Sequence, residues 1–103
     1  MSKAMTINYE WDNAKALSNL NKHGITFDQA ATVFLDGLAL TVFDSVHSQH
    51  EERWFTLGYD ANGALLAVAH THEAIGSTTA RVRIISARSA SKRERRFYED
   101  EPR

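Results

Sequence analysis

Apolar residues follow two different periods along the chain. From residue 12 to about 37 they recur at helical spacing, and from residue 38 to 87 they come in short runs rich in β-branched and aromatic side chains. Ahead of both, "MTINYEW" has the alternation of a short strand. Asp12 can cap a helix over about 12–23, in which Ala14, Leu17 and Leu20 form the apolar stripe and Gly24 ends the pattern. Thr26 with Gln29 makes a T-x-x-Q capping box for a second helix, whose Phe27, Ala30, Val33 and Phe34 form a stripe that stops near Gly37. "LALTVF", "RWFTLGY", "ALLAVAHT" and "ARVRIISA" then read as four strands, with Asn62-Gly63 turning a hairpin between the middle pair. Ser91 and Glu94 form an S-x-x-E box that opens a short helix, about Lys92 to Asp100. The predicted class is α+β in the order β-α-α-β-β-β-β-α: a mainly antiparallel sheet, two N-terminal helices packed on it, and a short C-terminal helix.

Length and composition leave this outline intact and narrow its chemistry. A chain of 103 residues, 43% apolar, suits one domain spanning 1–103 around one modest core. With no cysteine there is no disulfide and no thiolate, so a metal site would have to use histidine and carboxylate. The N-terminal stretch has no signal-peptide pattern, and no apolar run approaches the ~20 residues that span a bilayer. The expectation is a soluble, cytoplasmic protein without a membrane partner.

Charge changes the picture more. The formal net charge is −1, yet residues 1–80 carry four basic and nine acidic side chains, whereas residues 81–96 carry seven basic and one acidic. Positive charge is concentrated in "RVRIISARSASKRERR". Lys92 and Arg93 fall in the first turn of the last helix, where the helix dipole disfavours cations by about 0.3–1 kcal/mol each. Adding cations to unpaired N–H groups makes sense if a phosphate docks there; a solvated basic face is the competing reading. In the preceding strand, period-two alternation puts Arg81, Arg83 and Ile85 on one face, and Val82, Ile84, Ser86 and Arg88 on the other. Both faces carry an isoleucine, so alternation does not decide which one meets the helices. Arg83 and Arg88 are therefore alternatives as well as partners.

Histidines raise the possibility of a metal. "HSQH" spaces His47 and His50 three apart, and "HTHE" puts His70 and His72 on one strand face. Neither spacing is a strong signature. His47 and His50 read as loop residues, and His70 and His72 as the polar end of a core stripe or the wall of a groove. No metal and no cofactor are expected.

Several blocks then line up in order: "YEWDNAKALSNLNKHGITFDQAATVF", "EERWFTLG" and "RIISARSASKRERRFYE", with E-W-D, N-x-x-K-H-G, E-E-R and R-I-I-S-A-R inside them. Together, over about residues 8–99, they resemble the BrnT family of bacterial type II toxins. That resemblance implies a RelE-like ribonuclease fold and RNA cleavage that halts translation. It also implies neutralisation by a BrnA-like antitoxin with a ribbon-helix-helix DNA-binding region. The antitoxin would dimerise and carry two toxins, and promoter DNA would be met only through it.

Metal-independent RNA cleavage needs a base for the 2′-hydroxyl proton, cations for the charge on the transition state, and an acid for the leaving 5′-oxygen. On that reading Arg88, Arg83 and Arg53 are the phosphate clamps, because a planar guanidinium can grip phosphate oxygens through two bonds. Glu52 is the candidate base. His23, matching the K-H-G block at the end of the first helix, is the candidate acid, with a plain C-cap as its alternative and Lys22 as a phosphate contact. Tyr98 resembles the C-terminal aromatic residue of RelE-like nucleases, with core packing as the competing role. Lys92, Arg93, Arg95 and Arg96 are the expected RNA contacts. Two other classes use the same basic segment: a nucleic-acid-binding module without catalysis, and a protein-interaction module docking an acidic partner.

Overall fold

The structure, a computed structural model, describes residues 5–102. All three helix starts predicted from capping residues are present. The Asp12 carboxylate accepts the Lys15 N–H at 3.0 Å and begins α1 (Asn13–His23), which ends at Gly24 in the left-handed region (φ 72°). Thr26 caps α2 (Phe27–Ala31) through the Gln29 N–H, and the chain then tightens into a 3₁₀ turn, Thr32–Leu35. Ser91 and Glu94 close a full capping box on α3 (Lys92–Asp100).

The strands are β1 (Thr6–Glu10), β2 (Leu40–Phe43), β3 (Trp54–Tyr59), β4 (Leu65–His70), β5 (Glu73–Ala74) and β6 (Thr79–Ser89), in the order β1-β6-β4-β3-β2 with β5 beside β6. Every pairing is antiparallel except β1 with β6. Two-residue β5 has no counterpart in the predicted order. It continues the line of β4 along β6 after a break at Thr71-His72, pairing Glu73 with Arg81, and is too short for a periodic signal. The β3–β4 connection is also wider than a two-residue turn. Gly63 donates to the Asp60 carbonyl and alone in the loop has positive φ (84°), while the Asp60 carboxylate accepts the N–H groups of Asn62 and Ala64.

Central β4 is buried on both faces. On one face Leu66 and Val68 pack with Val82, Ile84 and Ala87 of β6 beneath Ile25, Phe27, Ala30 and Val33. On the other, Leu57, Leu65 and Ala67 pack against Tyr98 of α3. Gly58 permits the first layer: a Cβ there would lie 2.8 Å from Val33 Cγ1.

The inward face of α1 differs from the stripe expected of it. Leu17 and Leu20 are 61% and 41% exposed, whereas Asn19 is buried with Ala16 half-buried beside it. Hydrogen bonding outweighs apolar packing here. Beyond Arg83, β1 no longer pairs with β6, and the Asn19 amide takes its place. Asn19 donates to the carbonyls of Ala87 (2.9 Å) and Ile25 (3.1 Å) and accepts the Ala87 N–H (3.0 Å). A leucine at that position would leave three buried polar groups unpaired.

Candidate active site

A bulge in β6 reorganises its arginines. Ser86 pairs with Ala69 but Ile84 pairs with His70, so Ile85 is an extra residue and the alternation shifts by one. Arg88, Ser86, Arg83 and Arg81 therefore share the face that also carries α3, whereas Ala80, Val82, Ile84 and Ala87 face α1 and α2. Strict alternation had set Arg83 and Arg88 on opposite faces; the register corrects that.

Although they share a face, these arginines have separate partners. Arg81 is braced across neighbouring strands by Glu73 (3.1 Å) and Glu10 (3.8 Å). Arg83 forms an ion pair with Glu51, and the same Glu51 oxygen lies 3.6 Å from Arg53. Glu51, not Glu52, is thus the carboxylate at the arginines; Glu52 is exposed. Because β3 begins only at Trp54, residues 51–53 belong to a loop in which strand alternation does not apply. The E-E-R block held a signal for the right acid only in its ambiguity, since either glutamate could serve.

That loop is tightly built. Buried Asp44 receives the His47 ring Nδ1 at 2.8 Å, the Ser48 hydroxyl donates to the Asp44 carbonyl, and Arg53 N–H donates to Ser48 Oγ at 2.9 Å. A cavity of about 410 Å³ opens against it, lined by Val46, His47, Gln49, His50, Glu51 and Arg53. Arg53 Nε is shielded from water and, among the described residues, has no hydrogen-bond partner, although Arg53 lines this cavity.

Arg88 has a structural partner. It grips Glu94 through two bonds, 2.6 and 3.0 Å, tying β6 to the first turn of α3. This guanidinium, opposed by desolvation and aided by the Ser91 N–H, draws the Glu94 carboxyl down to about 2 from its ordinary 4.5. A depressed carboxyl stabilises the fold above its ordinary pKa, and that stability fades as pH falls from about 4.5 toward 2. Arg88→Ala should therefore cost about 1 kcal/mol at pH 7, discounted for the exposure of both partners. Urea titrations should show the deficit shrinking as pH approaches 2; a deficit independent of pH would sink this assignment.

Tyr98 packs in the core: it is 6% exposed, donates to Asp36 Oδ2 at 2.6 Å and meets Tyr59 edge-on. Lys22 and His23 are exposed at the end of α1, in the helical layer on the far side of the sheet from the Arg53–Glu51–Arg83 cluster. Lys92, Arg93, Arg95 and Arg96 are all exposed on α3, with Arg95 4.0 Å from Glu99 and Arg93 and Arg96 flanking a cleft beside Phe97. His70, 1% exposed, is the polar end of a core stripe: Nε2 meets Thr56 Oγ1 at 2.7 Å, Nδ1 donates to the Thr71 carbonyl, and burial pushes its pKa down. Among the described residues, no three histidine or carboxylate side chains converge on a metal-sized point. Among these residues, too, no helix is long and apolar enough to cross a membrane.

Comparison with known proteins puts this arrangement in context. The crystal structure of the ribonuclease toxin BrnT from Brucella abortus superposes with a TM-score of 0.54 at 25% sequence identity, covering 87% of this chain and 100% of that one. None of the curated protein sequences compared matches the chain. Residues 11–94 match the family described as the ribonuclease toxin, BrnT, of type II toxin-antitoxin systems. That span runs from the strand–helix junction at Trp11 to the Glu94 that anchors Arg88, and so includes the whole arginine face and the loop beside it: the chain belongs to the BrnT family of ribonuclease toxins.

Proposed function

We propose that this toxin is an endoribonuclease that cuts RNA without a metal ion, on a single RelE-like domain, with its reaction centre at Arg53, Glu51 and Arg83. The observation that carries this is the Glu51 carboxylate lodged between two guanidinium groups. A phosphodiester has the same charge and similar oxygens, and can displace the carboxylate from the clamp. Once displaced, Glu51 lies beside the bound phosphate as a base for the 2′-hydroxyl proton, the role expected of Glu52. Arg53 and Arg83 then hold the charge that grows on the phosphoryl oxygens, the task a metal ion performs in other nucleases.

The α3 cations lie away from this centre, since α3 packs at the Tyr59–Leu65 end of β3 and β4 and Arg53 adjoins the Trp54–His70 end, so they would hold flanking RNA. Lys92, Arg93, Arg95 and Arg96 offer phosphate contacts along α3. Arg88 keeps that helix on the sheet and becomes a direct clamp only if it leaves Glu94, while Tyr98 holds the helix from below. Lys22 and His23 lie on the other layer and serve a longer RNA at most. Cleavage would halt translation in the cytoplasm. A BrnA-like ribbon-helix-helix antitoxin, two toxins to an antitoxin dimer, would mask the same basic surface and alone bring promoter DNA to the complex.

The test is incubation of antitoxin-free protein with RNA in EDTA. Cleavage is expected, leaving 5′-hydroxyl and 2′,3′-cyclic phosphate ends. Products with 5′-phosphate would indicate attack by water and overturn the mechanism; intact, tightly bound RNA would favour the non-catalytic binding module.

A further inference from the structure

The arginine cluster explains charge stabilisation, and Glu51 a base; neither accounts for the proton that the leaving 5′-oxygen needs. The histidine expected for that task, His23, lies on the other side of the sheet. The same cavity that Arg53 and Glu51 line is also lined by His47, and His47 is held in an unusual way for a loop residue. Its ring Nδ1 lies 2.8 Å from Asp44 Oδ2, and its backbone N–H donates to Asp44 Oδ1 at 3.3 Å. The Asp44 side chain is 8% exposed and that of His47 is 60% exposed. A buried carboxylate fixing one nitrogen of an exposed imidazole selects the tautomer and ring orientation and leaves Nε2 available to a substrate.

We propose that His47 is the general acid of the cleavage step and that Asp44 is its positioning residue. This rests on the placement of the reaction centre at Arg53, Glu51 and Arg83. The 2′-oxygen bonds to phosphorus as its proton passes to the Glu51 carboxylate. The bond from phosphorus to the 5′-oxygen breaks, and that oxygen takes the proton on His47 Nε2. The products are a 2′,3′-cyclic phosphate, a 5′-hydroxyl, a neutral imidazole and a protonated Glu51, which exchange the proton through water. The ring enters the step with the proton on Nε2 and with Nδ1 held by Asp44. The other ionisable groups around the ring are His50, Glu51 and Arg53 on its own loop, and Arg83, which reaches the loop from β6 through Glu51.

The decisive experiment compares two RNA substrates in EDTA: an ordinary oligoribonucleotide, and one whose scissile 5′-oxygen is replaced by sulfur. A thiolate leaves without a proton, so general-acid help matters only for the oxygen substrate. His47→Ala should cut the oxygen substrate at least about 100-fold more slowly than the parent protein, yet cut the sulfur substrate within a few-fold of it. Equal losses on both substrates, or no loss on either, would overturn the role of His47. Failure of the parent protein to cut either substrate would overturn the placement of the reaction centre, and the inference with it. Because the His47 ring bonds the buried Asp44 carboxylate, the variant is melted beside the parent, and the sulfur substrate reports whether its site is still folded. Asp44→Asn should slow cleavage of the oxygen substrate about 10-fold while leaving the sulfur substrate within a few-fold of the parent rate; equal effects on the two substrates would remove Asp44 as the positioning residue.

Discussion

Replacing Arg83 with alanine is expected to slow RNA cleavage about 10²- to 10³-fold, the loss typical of removing one preorganised donor to a developing oxyanion. Its stability cost should be small, within about 1 kcal/mol, because the Arg83 side chain is 37% exposed and its partner Glu51 is 38% exposed. Arg53→Ala should behave alike and keep the loop in place, because the bond that anchors Ser48 comes from the Arg53 backbone N–H, which alanine retains. Lysine at position 83 restores the charge but not the two-pronged grip, so its rate should fall between those of parent and alanine variant. Arg88→Ala provides the contrast: its guanidinium is occupied by Glu94, so a larger share of its effect should be on stability than for Arg83. Initial rates and urea titrations on the same preparations distinguish the two. If Arg83→Ala cuts RNA at the parent rate, the reaction centre does not lie at this cluster.

The second large effect concerns the fold. Asn19→Ala should destabilise the protein by about 2–4 kcal/mol, since it strips partners from buried backbone groups of Ala87 and Ile25 and leaves a small void. In a domain of this size that corresponds to a fall in melting temperature on the order of 10–20 °C. Asn19→Asp retains the acceptor for the Ala87 N–H but faces two carbonyls with a negative charge, so it should be no better. A shift of less than about 1 kcal/mol for the alanine variant would mean that water replaces the amide, contrary to the pairing described. Asn19 opens the N-x-x-K-H-G block, and this result would assign that part of the block to α1–β6 docking rather than to RNA.

Helix caps, turn residues and the change of hydrophobic period are local, and each was legible because its physics is local, although the Gln29 side chain leaves the expected Thr26 box to bond Asp60. Asp12, Thr26 and Ser91 each bond a backbone N–H three residues ahead, so the starts of α1, α2 and α3 followed from the sequence alone. The same holds for the four long strands and the asymmetric charge: seven cations within residues 81–96 are a property of the chain whatever its fold. Side-chain direction was not legible. Whether α1 turns Leu17 or Asn19 inward depends on the free edge that β1 leaves on β6, a contact between residues 68 positions apart. Whether Arg83 and Arg88 share a face depends on one extra residue, Ile85, which is visible only in the pairing with β4. The site itself depends most on tertiary structure. Glu51 rather than Glu52 meets the arginines, and His47 rather than His23 stands beside them, because a loop fixed by Asp44 and Ser48 folds over the end of the sheet. Loop conformation comes from scattered side-chain hydrogen bonds and has no period. The sequence by itself determined which residue types could bind a phosphate; which of them meet was decided by sheet register and loop closure, whose energies come from contacts far apart in the chain.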